Sequence, residues 1–350
     1  PIKSSAASDV YKRQIEINDD IRRLTSVVCH SLSDVPDIID AWNEGKVADV
    51  EGYYENAKIN RVYVDRVHVK KAFAEYTAAY NADDPKIKLK IDHTYRVAAL
   101  CERIAKAAGM CAYDVELAWL SGMLHDVGRF EQIKRYNTFS DADSVDHAKF
   151  GADLLFKDGL ISTFLNGMVK CTGYKPGALE DRYSSDGVFL YDRLNKSDME
   201  MLELAIRCHN MYRIPQGLNR REQAFCNVLR DADKVDIFKV NIDTPLEEIY
   251  NTTTEELMKS DITDEVLEAF DEEHCILKAI RRTPADTVIG HVSLAYELVY
   301  DESVRITVEQ GYLAKLMHFH SDNEETNRKM AMVREKMDSY VKKRIGEKDA

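Results

Sequence analysis

The stretch Ser121-Gly-Met-Leu-His-Asp-Val-Gly-Arg-Phe-Glu-Gln132 decides how this chain folds. Apolar residues recur in it and just before it at helical spacing: Leu117, Leu120 and Leu124. This spacing predicts a helix with one buried face. His125 and Asp126 follow at the end of that face, and Gly128 is predicted to cap the helix C-terminus. The sequence therefore predicts a histidine and a carboxylate side by side at the edge of an apolar core.

Four further segments each place one histidine or aspartate on an apolar helical face. His93 and His147 each stand one turn ahead of an apolar stripe, and His209 continues another. Asp233 falls on the apolar face of a fifth helix, whereas Asp231 falls on its far side. Asp233 is therefore the predicted inward carboxylate of that helix.

Six polar side chains are thus predicted to point towards a shared apolar interior. A single buried histidine is ordinarily a core residue with satisfied hydrogen bonds, and a buried carboxylate without a partner is costly. Four histidines and two aspartates together need a common compensator. A metal centre is the simplest one, because it uses both the imidazole lone pairs and the carboxylate charge.

The order of these residues resembles the HD-domain superfamily of metal-dependent phosphohydrolases, in its two-metal form. Three local strings are similar to that family as well: SGMLHDVGRFEQ, DHAKFGADLLF and RDADKVD. The similarity covers about residues 66–245. It implies a set of six metal ligands: His93, His125, Asp126, His147, His209 and Asp233.

The resemblance also implies how these ligands divide between two divalent ions. The first ion would be held by four residues: His93, His125, Asp126 and Asp233. The second would be held by His147 and His209, with Asp126 as the bridge. Two ions about 3.5–4 Å apart can share a hydroxide nucleophile that attacks a phosphoester. The imidazole-rich set favours Mn, Fe, Co or Ni over Mg.

Two cationic residues are candidates for binding a substrate phosphate. Arg129 follows the His-Asp pair, and a guanidinium can bind phosphate through two hydrogen bonds. The alternative for Arg129 is a cation at a helix C-terminus. Lys234 flanks the closing aspartate, where an ion pair with Asp231 or Asp236 is an equal alternative. Asp126 and Arg129 are the predicted catalytic residues, and Arg129 and Lys234 the predicted substrate-binding ones.

The composition is that of a soluble globular protein, with 350 residues, 45% hydrophobic and 31% charged. Its 15 Gly and 7 Pro favour helices over a loop-rich sheet protein. The net charge of −13 argues against polymeric nucleic acid as a partner, whereas a small phosphorylated or nucleotide-like substrate needs only a local positive site. Seven cysteines without a Cys-x-x-Cys pair indicate free thiols in a reducing cytoplasm. No apolar run reaches the roughly 20 residues of a membrane span, so no membrane partner is expected.

The helical pattern and the resemblance predict an all-α fold. Residues 66–245 are expected to form an HD-type helical core, and residues 246–350 a helical C-terminal extension. Residues 15–65 are expected to be a helical N-terminal segment. Residues 1–14 lack an initiator Met and the apolar core of a signal peptide, so a non-native leader is expected there. No feature of the sequence indicates an oligomeric state.

The predicted function is hydrolysis of a phosphomonoester or phosphodiester bond in a small nucleotide-like substrate by a metal-bridging hydroxide. Two alternatives come from other classes of protein. Some HD-superfamily members use the same six ligands as di-iron oxygenases, and oxygen uptake with a mixed-valence iron signal would identify one. The other alternative is a non-catalytic metal- or nucleotide-binding module, which would not turn over any phosphoester in a panel.

Overall fold

A computed structural model describes residues 64–81, 83–165 and 196–346 of the chain. Within these ranges every regular element is a helix and none is a strand, which confirms the predicted all-α class. The prediction for residues 1–14 lies outside the described ranges, and so does that for residues 15–65 except at its last two residues. Residues 110–114 fall into a separate unit, and the other described residues belong to one compact unit.

The helices up to residue 245 are α1 (Arg66–Thr77), α2 (Pro85–Ala107), α3 (Ala112–Leu124), α4 (Val127–Tyr136), α5 (His147–Ala152), α6 (Ile161–Leu165), α7 (Lys196–Cys208) and α8 (Arg220–Asp243). A π-helical turn, Asp153–Lys157, directly continues α5. The later helices are α9 (Leu246–Tyr250), α10 (Thr254–Lys259), α11 (Asp264–Asp271), α12 (Pro284–Val292), α13 (Asp301–Gln310), α14 (Tyr312–Met317) and α15 (Glu324–Ile345). Among the described helices, none combines the length and the apolar character that crossing a membrane requires.

The centre of the fold is the contact between α2 and α8, which pack along each other. α2 begins at Pro85 because the preceding Asp84 accepts a hydrogen bond from Lys86 N and proline suits the first helical turn. α8 begins with a capping box, in which the side chains of Asn219 and Glu222 each accept from the other's backbone N–H. α7 packs against α8 and α5, and α5 packs against α4. These contacts arrange the helices of the candidate residues around one interior.

Two glycines allow close approaches between these helices. A Cβ atom at Gly128 in α4 would lie 2.5 Å from the backbone oxygen of His147 and 2.7 Å from the backbone nitrogen of Gly151. A Cβ atom at Gly122 in α3 would lie 2.6 Å from the Cα atom of Ala98 in α2. Any larger residue at either position would force the backbones apart, a form of overpacking. The segment between α3 and α4 is thereby held against α2 on one side and α5 on the other.

The local structure after α3 differs from the prediction. α3 ends at Leu124, and α4 begins at Val127 with Asp126 in its N-cap position. Gly128 therefore lies inside α4, and its predicted role as a C-terminal cap is wrong. The glycine is required by contact with α5, which local sequence does not reveal. Arg129 lies in the first turn of α4, so its interpretation as a cation at a helix C-terminus is also wrong.

Helices continue after residue 245, and α13 and α14 pack on α8. A buried carboxylate on α8 joins the two parts. Asp231 accepts hydrogen bonds from Val299 N, Tyr300 N and Ser303 Oγ at 2.7–3.0 Å. Asp231 is fully buried, and it uses this contact instead of facing the interior that Asp233 faces. The assignment of Asp233 as the inward residue is thus in accord with the geometry of α8.

Candidate metal centre

His93, His125 and Asp233 form one half of the candidate centre. His93 Nε2 lies 3.2 Å from His125 Nε2 and 3.1 Å from Asp233 Oδ1. His125 Nε2 lies 3.8 Å from the same carboxylate oxygen. One ligand atom from each residue lies within 4.8 Å of the other two, so a single ion can contact all three.

His147 and His209 form the other half. His147 is the first residue of α5 and His209 follows the last residue of α7. Packing of α5 against α7 brings their Nε2 atoms to 3.1 Å. His209 also belongs to a second group, with His125 and Asp126, whose ligand atoms lie within 4.8 Å of one another.

Asp126 lies between the two halves and directs one carboxylate oxygen to each. Its Oδ2 atom is 3.6 Å from His93 Nε2 and 3.5 Å from His125 Nε2. Its Oδ1 atom is 3.5 Å from His147 Nε2 and 3.8 Å from His209 Nε2. Oδ1 is buried and has no hydrogen-bond partner. Each oxygen of Asp126 therefore faces a different pair of histidines.

The four histidines are held through their outer ring nitrogens. Each Nδ1 atom lies 2.6–2.8 Å from one oxygen acceptor. This acceptor is the Asp236 carboxylate for His93, the Gly122 carbonyl for His125, the Asp141 carboxylate for His147 and the Ile206 carbonyl for His209. A carbonyl oxygen only accepts, so the Nδ1 atoms of His125 and His209 donate and their Nε2 atoms carry the lone pair. Histidines that bind metals are generally oriented by such contacts.

Burial keeps three of these histidines uncharged. Burial and Arg129 lower the pKa of His147 to about 4, and burial and His125 lower the pKa of His209 to about 4. Burial also lowers the pKa of His125. With their Nδ1 atoms donating, His147 and His209 direct two Nε2 lone pairs at each other beside the unpartnered oxygen of Asp126. A cation between these atoms would remove the repulsion.

The carboxylates of the centre are held in their charged form. Burial alone would raise the pKa of Asp126, but the positive charge of Lys90 brings it well below its usual value. Burial also opposes ionisation of Asp233, yet its hydrogen bond with His93 lowers its pKa overall. Burial and Lys90 disfavour protonation of His93, but Asp233 and Asp236 raise its pKa overall.

These residues fit divalent metal ions. Imidazole nitrogens and carboxylate oxygens are the ligands of transition-metal sites in proteins. A cation would satisfy both the unpartnered oxygen of Asp126 and the opposed nitrogens of His147 and His209. The structure brings all six predicted ligand residues together, and none of them lies elsewhere in the fold.

Sequence reasoning missed two carboxylates that hold the histidines from outside. Asp236, in contact with His93, accepts from Arg96 Nε at 2.6 Å and from Arg96 Nη2 at 2.9 Å. Asp141, in contact with His147, accepts from Arg129 Nη1 and from the Gln132 amide, both at 3.0 Å. The spacing of Asp236, one turn after Asp233 in α8, was a usable signal. Asp141 stands in a loop, where no periodicity marks it.

Lys90 was missed as well. It lies one turn before His93 in α2, and its Nζ donates to Asp126 Oδ2 at 2.7 Å. The same Nζ lies 5.4 Å from the centre of the Phe139 ring. Lys90 stands three residues before the predicted ligand His93, and this spacing was the signal available in the sequence. Lys90 is the cation closest to the shared carboxylate among the contacts of the described residues.

Arg129 lies beside the centre, on the side of Asp126 Oδ1. Its Nε is 3.7 Å from that oxygen and has no hydrogen-bond partner. Its Nη1 donates to Gln132 Oε1, the Phe139 carbonyl and Asp141 Oδ1 at 2.7–3.0 Å. The guanidinium therefore supports the loop after α4 through one edge and leaves another edge for a further acceptor.

Lys234 is buried next to Asp233, but its Nζ makes no hydrogen bond or ion pair with another described residue. Burial and Arg230 lower its pKa to about 8. The alternative ion pairs with Asp231 and Asp236 are wrong as direct contacts, because Asp231 binds the extension and Asp236 binds His93 and Arg96. A substrate contact for Lys234 remains a prediction.

Residues 91–238 match the family model of the HD domain, and this segment contains all six candidate ligands. This match is consistent with the HD-domain superfamily, which is made up mostly of metal-dependent hydrolases and implies binding of divalent metal. No curated protein and no solved structure matches the chain.

Proposed function

We propose that this protein is a phosphohydrolase that uses two divalent ions to cleave a phosphomonoester or phosphodiester bond of a small nucleotide-like substrate. One observation carries the proposal: Asp126 directs one oxygen to His93 and His125 and the other to His147 and His209. A single ion would not need a carboxylate that is divided in this way.

The roles of the residues follow from these contacts. Divalent ions in such a site supply an activated water and neutralise charge on the phosphoester. Asp126 would set the spacing of the two sites, and the four imidazoles would favour Mn, Fe, Co or Ni over Mg. The free edge of Arg129 would orient a phosphate oxygen. We assign Lys234 a weaker contact with a more distant anionic group of the substrate.

The test is metal analysis of anaerobically purified protein, followed by a screen of phosphoesters and nucleotides with each metal restored. We expect close to two ions per chain and turnover of at least one phosphoester. A fully loaded sample with one ion would contradict the dinuclear site. Oxygen uptake with a mixed-valence iron signal, and no phosphoester turnover, would identify an oxygenase instead. Metal binding without either activity would indicate a binding module.

We place the reaction in the cytoplasm. Four described cysteines are buried thiols outside any disulfide: Cys101, Cys208, Cys226 and Cys275. Reduced thiols of this kind are typical of a reducing compartment. Export of the protein with formation of disulfides would contradict this placement.

Replacement of Arg129 tests its role in binding phosphate. We expect Arg129→Ala to lower kcat/KM by an amount equivalent to roughly 1.5–3 kcal/mol of lost transition-state stabilisation, the range for loss of a charge-assisted contact. The metal content should stay unchanged. Arg129→Lys should recover only part, because an ammonium cannot replace the planar fork. Steady-state kinetics and metal analysis on both variants measure these effects.

Because Arg129 also supports Asp141, its structural contribution needs a control. Gln132→Ala removes another support of Asp141 and one contact of Arg129 Nη1, but it touches neither Asp126 nor the free edge of Arg129. If the kinetic losses of Gln132→Ala and Arg129→Ala are equal, Arg129 acts through the loop and does not bind the substrate.

A further inference from the structure

We propose that Lys90 competes with divalent metal for Asp126 Oδ2, and that its ammonium binds the substrate phosphate once metal holds this oxygen. The first part concerns metal affinity alone. The second part rests on the proposed phosphohydrolase function.

The competition between Lys90 and metal follows from the position of the ammonium. Lys90 Nζ donates at 2.7 Å to the oxygen that also faces His93 and His125 at 3.5–3.6 Å. An ion held by these histidines would take the same oxygen as its ligand. Ammonium and divalent ion would then be neighbouring positive charges in a site of low polarity, which is unfavourable. Lys90 therefore competes with metal for Asp126.

The structure also provides a place for Lys90 to move to. The Lys90 side chain is 17% exposed, whereas that of Asp126 is 2% exposed, so the lysine reaches the carboxylate from the open side. Its Nζ lies 5.4 Å from the centre of the Phe139 ring, and the Arg129 guanidinium carbon lies 5.5 Å from that same centre. A short movement along this ring keeps a cation–π contact. It leaves the flexible ammonium free to bind an anion.

The two cations would then serve opposite sides of the shared carboxylate. Lys90 contacts Asp126 Oδ2, on the side of His93, and Arg129 approaches Asp126 Oδ1, on the side of His147. A phosphate that reached the centre would meet one cation from each side. Lys90 is on this account a substrate-binding residue that also competes with metal for the shared carboxylate.

Removal of the ammonium should change the affinity for metal and the affinity for phosphate in opposite directions. We expect Lys90→Met to bind Mn²⁺ about tenfold more tightly, because a competing charge has gone. The Mn²⁺-loaded variant should bind inorganic phosphate about tenfold more weakly, because one charge-assisted hydrogen bond is lost. Lys90→Arg should retain much of the phosphate affinity. If Lys90 only stabilised the structure, its replacement would instead weaken the binding of both Mn²⁺ and phosphate.

The experiment is calorimetric titration of metal-free protein with Mn²⁺, and of Mn²⁺-loaded protein with inorganic phosphate. Lys88→Met is the matched control, since Lys88 lies in the same helix and pairs with the exposed Asp92 at 2.8 Å. It should change neither affinity. Melting temperatures of all variants verify that they are folded.

Weaker or unchanged Mn²⁺ binding by Lys90→Met would overturn the competition between Lys90 and metal. Tighter Mn²⁺ binding with unchanged phosphate affinity would overturn the movement to phosphate and leave the competition. Failure of the wild-type protein to hydrolyse any phosphoester would count against the proposed function only, because the Mn²⁺ titration does not depend on turnover.

Discussion

We expect Asp126→Asn to lower kcat by more than about 100-fold, since loss of a residue that merely orients a metal ligand already costs about 10–100-fold. An amide has the shape of the carboxylate but cannot supply a negative oxygen to both halves of the centre. The amide oxygen still accepts from Lys90, so the chain should stay folded. Kinetics with saturating metal measure kcat, metal analysis measures how much metal the variant holds, and circular dichroism shows whether the chain stays folded.

The control is Asp143→Asn, which makes the same chemical change at an exposed position of the loop after α4. It should leave kcat and metal content unaltered. If Asp126→Asn kept more than about a tenth of wild-type kcat, far above what a lost bridging ligand should leave, the bridging assignment would be wrong.

The second large effect separates two aspartates of α8. Asp233→Ala should remove metal from the protein while the fold persists, because the carboxylate faces His93 and His125. Asp231→Ala should instead lower the free energy of unfolding by about 2–4 kcal/mol, because it leaves buried donors near Val299 and Ser303 without an acceptor. Metal analysis and denaturant titration of both variants test this contrast. Equal metal loss in the two variants would show that α8 is rotated from the orientation described.

Helical periodicity was sufficient to predict which side chains meet at the centre. His93, His147, His209 and Asp233 each extend an apolar face, and a helix that buries this face must carry the polar residue inwards. The distinction between Asp231 and Asp233 depends only on the phase of α8. The class of fold was predictable for the same reason, because long stretches of one period leave little choice of element.

Features that depend on contact between helices were not predictable. Gly128 resembles a helix-ending glycine, yet it is required because α4 lies against the backbone of α5. Asp141 acts on His147 from a loop, and no local pattern marks it. Lys90 is one turn from His93, but only the packing of α2 against the end of α3 reveals that it reaches Asp126. Tertiary contacts decide each of these cases.

The contact of Asp231 with the extension has a consequence for how the chain can be divided. A fragment ending at residue 245 would keep every candidate ligand, yet it would expose the side of α8 that α13 and α14 cover. We therefore expect the matched segment 91–238 to be too short to fold by itself. Heat should melt the segment with the candidate ligands and the extension in one cooperative transition, and loosening the extension should loosen the helix that holds Asp233.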